Sequence, residues 1–310
     1  MRITLQRQLD RTFGSLLCRI LSLFPRVSGN GRLRPGPEKI LVIILSEMGS
    51  LVLAKPMFDL LGKTYPKASV HALVFEQNRE VLELLDVVPP GNILTVSNRS
   101  LAGLLWDSIR VLFRMHRRGI DAVLDCELFS RISSIYSFLS GAGTRVGFHP
   151  HTQEGLYRGD FINRPVLYNP YHHISEQFVT LVEALESREV PTVKRRIPRE
   201  RAKLAPMAID RDEIEALRGR LRGDFPRIAD RRLVLVYPGG GLLPIRAWPL
   251  HYFCRVARDL VRNGYAIGVI GMEEDRRSAG LIREHCGNEE CVDLTGYTKT
   301  IRELMTLFHL

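Results

Sequence analysis

Residues 40–45, Ile40-Leu41-Val42-Ile43-Ile44-Leu45, form an unbroken apolar run that stops at Ser46-Glu47-Met48-Gly49-Ser50. A short run with apolar residues at consecutive positions predicts a strand covered on both faces, as in a parallel sheet. Behind the turn, Leu51, Ala54, Met57, Phe58 and Leu61 recur at spacings of three and four, the period of a helix. A strand, a glycine-containing turn and a helix make the first half of a βαβ unit. In open α/β sheets ligands sit beyond the carboxyl ends of such strands, where helix amides favour anions. Glu47 stands in this turn, either as an ordinary turn residue or as a carboxylate placed to meet a substrate hydroxyl.

The alternation continues along the chain. Strands are predicted over residues 70–75, 93–96, 122–125 and 145–148, and helices over 51–64, 78–85, 101–118 and 131–139. Alternating strands and helices imply a parallel, doubly wound sheet in a first domain of residues 39–190. Residues 191–232 are charged and carry Pro191, Pro198, Pro206 and Pro226. They read as an interdomain connection with one short helix, 211–221, capped by Asp210. A second domain, 233–310, offers strands over 233–237, 266–270 and 291–294, with helices over 249–263, 273–285 and from 298 onward. Three strands are fewer than a full mononucleotide-type domain needs. The chain therefore reads as cut short in its second domain, with Leu304, Leu307 and Phe308 expected to lack the strands that would bury them. A short second domain of this kind would hold a nucleotide weakly.

Charge and cysteine usage narrow the partners. The formal net charge of +10 predicts attraction to polyanions, whether nucleic acid, phosphorylated glycolipid or an anionic membrane face. No helix-turn-helix, RNP-like aromatic motif or zinc-finger spacing supports nucleic acid. The five cysteines are scattered and odd in number, which fits free thiols in a reducing cytoplasm. No apolar run approaches the ~20 residues of a membrane span. In residues 1–38, Leu5, Leu9, Phe13, Leu16, Leu17, Ile20, Leu21 and Phe24 form a helical stripe, with Arg2, Arg7, Arg11, Arg19 and Arg26 at other positions. Such a basic amphipathic helix can lie in a membrane interface or pack on the protein's own body, and the sequence leaves both open. Residues 28–38 read as its flexible joint. Asp210-Arg211-Asp212 has the form of a metal-binding Asp-x-Asp, but its place at a helix start favours capping. His172 and His173 begin a helix after Pro170, and His149 and His151 fall in a polar loop. A metal role is expected for none of them.

Several separated segments resemble glycosyltransferase family 9, the ADP-heptose:lipopolysaccharide heptosyltransferases, in the family's order. They are the strand and turn at 40–50 with Pro56 and Tyr65-Pro66-Lys67-Ala68; Asp121-Ala122-Val123-Leu124-Asp125-Cys126; Gly141-Ala142-Gly143-Thr144-Arg145-Val146-Gly147-Phe148; and Tyr171-His172-His173-Ile174-Ser175-Glu176-Gln177. Val234-Leu235-Val236-Tyr237-Pro238-Gly239-Gly240-Gly241, Arg246-Ala247-Trp248-Pro249 and Leu294-Thr295-Gly296-Tyr297-Thr298 complete the series. The resemblance implies an α/β, GT-B type fold of two Rossmann-like domains facing a cleft, with acceptor contacts on the first and donor contacts on the second, here incomplete. It also implies inverting sugar transfer, without metal or cofactor, from a nucleotide-sugar donor such as ADP-heptose. The acceptor would be a lipopolysaccharide core or related glycolipid at the cytoplasmic face of the inner membrane.

The resemblance also implies roles. Family members have Met-Gly-Asp in the first turn, and that Asp is the base. Here Ser50 takes its place, and a serine hydroxyl is no base at neutral pH. Glu47, three residues earlier, is then the expected displaced base, with Ser46, Gly49 and Ser50 completing the acceptor-side turn unless Ser50 only caps the helix. On the donor side, Gly239, Gly240 and Gly241 would let backbone amides approach a phosphate. Arg246 would grip the leaving diphosphate, and Glu274, beside Glu273, would contact the donor sugar. Trp248, opening its helix, reads as a core anchor rather than a base-stacking platform. Ser50 and the short second domain also admit a non-catalytic member that binds sugar nucleotide or glycolipid. A sugar-nucleotide epimerase of the same layout is a further alternative.

Overall fold

The computed structural model describes residues 8–23, 36–45, 47–148, 157–192, 197–204, 207–228, 231–241, 246–287 and 289–310, and the chain divides into two units, Met1–Ala205 and Pro206–Leu310. In the first unit a π-helical turn, Asp10–Gly14, leads into α1 (Ser15–Ser22). Then follow β1 (Lys39–Ile43), α2 (Met48–Leu53), α3 (Lys55–Thr64), β2 (Ser69–Phe75), α4 (Arg79–Leu85), β3 (Ile93–Val96) and α5 (Leu101–Arg118). After these come β4 (Ala122–Asp125), α6 (Arg131–Leu139), β5 (Thr144–Phe148), β6 (Arg164–Val166) and α7 (Ile174–Glu183). The sheet order is β3-β2-β1-β4-β5-β6, every pair parallel. This is the doubly wound order expected of a mononucleotide-binding sheet.

The apolar run explains why β1 is central. Ile40, Leu41, Val42 and Ile43 are fully buried, so the strand has layers on both faces. Leu41, Ile43 and Leu45 share a core with Val111 and Met115 of α5 and Tyr136 of α6. On the opposite face, α3 packs against α7. Helix α5 has the bounds its periodicity predicts. Ser100 caps it by accepting from the Gly103 N–H at 3.1 Å, and Gly119 ends it at φ 64°, a conformation that favours glycine.

Two local features differ from expectation. The single helix expected over 51–64 starts earlier and breaks at Ala54, because Pro56 sits in the first turn of α3 and has no N–H for an unbroken helix. The strand β6 gave no sequence signal, being three residues with Pro165 in the middle. Pro is tolerated there because β6 is the edge strand, and its carbonyl still accepts from the Thr192 N–H at 2.8 Å.

The N-terminal helix packs along one side on the protein's own body, one of its two sequence readings. Asp10 Oδ1 accepts from the Arg131 and Ile132 N–H groups at 2.9 and 3.1 Å, satisfying the first turn of α6, and Cys18 is buried with Ile135 and Phe161. Yet Phe13, Leu16, Leu17, Ile20 and Leu23 remain exposed. One side of α1 belongs to the body and its main apolar stripe does not. Leu5 and Phe24, with Arg2, Arg7 and Arg26, lie outside the described residues, as does most of the joint.

His71, on β2, is buried. The Arg118 guanidinium donates to its Nδ1 at 3.0 Å, and its Nε2 pairs with the Ser69 hydroxyl at 3.3 Å. Because arginine can only donate, Nδ1 must carry no proton. Burial first, then Arg118 and Lys39, hold the imidazole down to about 4. Below its ordinary value near 6.5 the unfolded chain takes up a proton that the fold refuses. His71 therefore costs stability progressively as pH falls toward about 4, by about 3 kcal/mol in full. Urea unfolding across this range should show that dependence, and His71→Asn, which keeps an acceptor for Arg118, should flatten it. Parallel profiles for the two proteins would contradict the assignment.

The second unit contains α8 (Arg211–Asp224), β7 (Leu233–Val236), α9 (Leu250–Arg262), β8 (Ala266–Gly271), α10 (Arg276–Cys286), β9 (Cys291–Thr295) and α11 (Ile301–Leu307). Its described strands form a parallel sheet in the order β7-β8-β9. The division between the two units falls near residue 205, inside the stretch 191–232. Its helix α8, capped by Asp210 Oδ1 on the Asp212 N–H at 3.1 Å, buries Leu217 and Leu221 in the second unit's core. That corrects a second expectation. Leu307 is buried and Leu304 packs against the same cluster, because α8 covers them, while Phe308 stays exposed. Arg302–Glu213 and Arg220–Glu303 ion pairs tie α8 to α11 at 2.7 and 3.1 Å. Of the basic residues in the former connection, 194–196 lie outside the described residues.

Candidate active site at the strand ends

In the first unit the sheet order reverses between β1 and β4, so the connections leaving these strands diverge and open a crevice at their carboxyl ends. Glu47 follows β1 and Glu127 follows β4. The end of β1 is held from both sides: the Leu45 N–H donates to Glu127 Oε1 at 2.7 Å, and the Leu45 carbonyl accepts from Asn78 Nδ2 at 2.8 Å. Glu127 is oriented in turn, since its N–H donates to Asp125 Oδ1 at 3.1 Å. Neither Glu127 nor Asn78 stood out in the sequence. The signal for Glu127 was present, two residues past the end of a buried strand in the segment that begins Asp121-Ala122.

Glu47 is the N-cap of α2, with extended backbone at φ −127° and ψ 127°. Its carbonyl accepts from the Ser50 and Leu51 N–H groups at 3.1 and 3.3 Å, but its carboxylate does not cap the helix. Ser50 is therefore not the cap. It is the third residue of α2, inside the first turn, and half-buried. Gly49 is exposed, and a Cβ built on it would meet nothing within 4 Å. The fold does not require glycine there. Ser46 lies outside the described residues, as do His149 and His151.

A buried network underlies these strand ends. Asp125 is fully buried, and its Oδ2 accepts from the Arg158 guanidinium and, at 3.2 Å, from the Ser133 hydroxyl. Arg158 also donates to the Ser130 and Glu127 carbonyls and to Ser133 Oγ. Burial pushes the Asp125 carboxyl up to about 6, with Arg158 opposing it. The group is structural: it holds the β4–α6 connection that carries Glu127. The two histidines at the start of α7 are local as well. His173 caps the helix and His172 pairs with Glu176 at 3.2 Å.

The second unit places two candidate donor elements at one edge of its sheet. Val236 of β7 lies opposite Val269 of β8, so the loops following these strands leave side by side. Gly241 adopts φ 57°, and its N–H donates to the Tyr237 hydroxyl at 3.2 Å. Tyr237 thus folds back over the loop, and a Cβ on Gly239 would lie 2.5 Å from its hydroxyl oxygen. Two of the three glycines have structural reasons on this account, and Gly240 continues the loop between them. Glu274 is exposed in the 3-10 turn Glu273–Asp275 after β8, a turn held by the Met272 N–H on Asp275 Oδ2 at 3.0 Å. Arg246 is exposed ahead of α9, beyond residues 242–245, which lie outside the described residues. Trp248 is not a core anchor. It is 47% exposed and stacks on Tyr252 of α9, with ring centroids 4.8 Å apart and 13° between the planes.

No family model matches the chain. Over 265 residues it is 22% identical to lipooligosaccharide heptosyltransferase 2 of Haemophilus ducreyi, covering 84% of this chain and 72% of that one. The solved structure of E. coli ADP-heptose lps heptosyltransferase II matches over 87% of this chain and 76% of its own, at 17% identity and a TM-score of 0.65. E. coli heptosyltransferase WaaC with ADP-2-deoxy-2-fluoro heptose matches over 87% and 79%, at 15% identity and a TM-score of 0.58. In motif order, in sequence and in its parallel α/β fold, the chain resembles the heptosyltransferases of glycosyltransferase family 9.

Proposed function

We propose that the chain is an inverting, metal-independent glycosyltransferase that moves heptose from ADP-heptose to a lipopolysaccharide-core or related glycolipid acceptor at the cytoplasmic face of the membrane. The observation that carries this reading is the first turn. There β1 is pinned by Glu127 and Asn78 at the reversal of strand order, and Glu47 follows as the N-cap residue of α2. The order of motifs shared with heptosyltransferases supports the choice of chemistry.

In this reaction Glu47 takes the proton of the acceptor hydroxyl as its oxygen attacks the anomeric carbon. The bond from that carbon to the diphosphate breaks on the opposite face and ADP leaves. Gly49 and Ser50, with Ser46, shape the acceptor side. Gly239, Gly240 and Gly241 offer backbone amides to the diphosphate, Arg246 neutralises its leaving charge, and Glu274 holds the donor sugar. The open space in front of Gly49 suits an approaching sugar, since the backbone itself has no need of glycine at that position.

The test is release of ADP from ADP-heptose with and without lipopolysaccharide-core glycolipid. Release that requires the acceptor is the expected result. Release of free sugar without acceptor would place the chain with epimerase-like chemistry instead. Donor binding by calorimetry with no turnover would make it a binding protein.

A further inference from the structure

Helix α5 carries two apolar rows, and only one of them is inside. Val111 and Met115 are buried, with Leu104 and Leu112 packed against the same core. The second row, Leu101, Leu105, Ile109 and Phe113, recurs every fourth residue, and with Trp106 it faces outward. Leu105, Trp106, Ile109 and Phe113 are 58%, 69%, 65% and 63% exposed. Exposed single apolar residues are ordinary, but a contiguous helical row that includes Trp and Phe is a mark of a binding surface.

The charges beside the row identify its occupant. Arg110, Arg114 and Arg117 are exposed along its border, and the Arg117 guanidinium lies 5.8 Å from the Phe113 ring centroid. Asp107 is the helix's only acidic residue, and its carboxylate accepts from the Ser97 N–H at 2.9 Å. An apolar row with Trp, bordered by arginines, is the composition of a helix lying in the plane of an anionic bilayer. A second copy of the chain would bring the same arginines face to face and repel. Helix α6 extends the surface. It joins α5 through the Ser108–Tyr136 hydroxyl pair at 2.6 Å, and it carries α1, whose Leu16, Leu17 and Ile20, with the flanking Phe13 and Leu23, are also exposed. Because α5 follows β3 in a parallel sheet, its N-terminal end, with Leu101, Leu105 and Trp106, starts at the same edge as Glu47.

We propose that the outward row of α5, continued by α1, seats the first unit on an anionic phospholipid surface. No described helix is long and apolar enough to cross a membrane, and the contact proposed is a peripheral one. It brings the Glu47 edge toward lipid-borne substrates, but the docking itself does not depend on the transferase reading.

The experiment is flotation with vesicles of phosphatidylcholine containing phosphatidylglycerol, against vesicles of phosphatidylcholine alone, at low and high salt. Wild-type protein should float with the anionic vesicles only, and less at high salt. Trp106→Ser/Phe113→Ser should lower partition about tenfold or more. Arg110→Glu/Arg114→Glu, which leaves the apolar row intact, should lose most of the salt-sensitive part. Both alter exposed positions, and thermal melts that match wild type will show that each is folded. In a Trp248→Phe background, Trp106 is the sole tryptophan, and its emission should shift to the blue on binding. The proposal is overturned if wild type ignores anionic vesicles or if both α5 variants bind as wild type does. It is also overturned if Leu16→Ser/Ile20→Ser in α1 removes all binding while the α5 variants keep it, or if wild type is a dimer that Trp106→Ser/Phe113→Ser splits without any vesicle binding.

Discussion

Glu47→Gln is expected to lower kcat for acceptor-dependent ADP release by about 100-fold, roughly 2.7 kcal/mol of transition-state stabilisation, with the donor KM nearly unchanged. Gln keeps the size and hydrogen bonding of Glu but cannot accept a proton. The fold should tolerate the change, because Gln matches Glu in size and the Glu47 carbonyl, which the substitution keeps, makes the bonds that start the helix. Glu127→Gln is the comparison. It retains an oxygen acceptor for the Leu45 N–H, so its effect should be much smaller. Near-wild-type kcat in Glu47→Gln, or a larger loss in Glu127→Gln, would move the base from β1 to β4. Ser50→Asp in the Glu47→Gln background asks whether the family's usual position still reaches the acceptor. A carboxylate in the first turn of a helix is electrostatically favourable, so that variant should fold, and recovery of kcat would show a competent second position in the same turn.

The sheet was readable because its strands are short apolar runs separated by helical periods. The limits of α5 and α6 could be read from Ser100, Gly119 and the spacing of apolar residues. The missed features follow from what periodicity leaves unspecified. It counts Leu101, Leu105, Ile109 and Phe113 as a stripe, but cannot tell which of two apolar rows on α5 meets the core. It took α8 for part of a connection because the helix is rich in charge, although two leucines, Leu217 and Leu221, are enough to bury it against Leu304 and Leu307. The sequence left capping open as an alternative role for Ser50, whereas the extended backbone at Glu47 makes that residue the cap. The site is least legible where it depends on contacts between strand ends. Glu127 and Asn78 meet Leu45 across 82 and 33 residues of sequence, and no local pattern encodes such a meeting. The glycines after β7 show the reverse case. Their pattern suggested phosphate, and Tyr237 supplies a structural reason for Gly239 and Gly241 that stands whether or not a ligand binds.

Replacing Arg158 should produce the largest loss of stability in the first unit. Its guanidinium is the cation paired with fully buried Asp125 and also donates to the Ser130 and Glu127 carbonyls. Arg158→Met leaves a buried carboxylate without its partner, which costs about 3–5 kcal/mol. The cost should depend on pH in a definite direction. Burial already pushes the Asp125 carboxyl up to about 6 with Arg158 present, and without the cation it rises further. A carboxyl whose folded value is above its unfolded one favours the fold only while protonated, and that contribution is lost as pH rises through the folded value. Arg158→Met should therefore lie closer to wild type at about pH 5 than at about pH 8 in urea unfolding. Asp125→Asn/Arg158→Met removes both charges, keeps an oxygen acceptor for the Glu127 N–H, and should recover much of the loss and its pH dependence. If the single variant lost the same stability at both pH values and the double variant recovered nothing, the damage would lie in the carbonyl contacts of Arg158. The pair would then be incidental, and Glu127 would be held at the end of β1 by the β4–α6 connection alone.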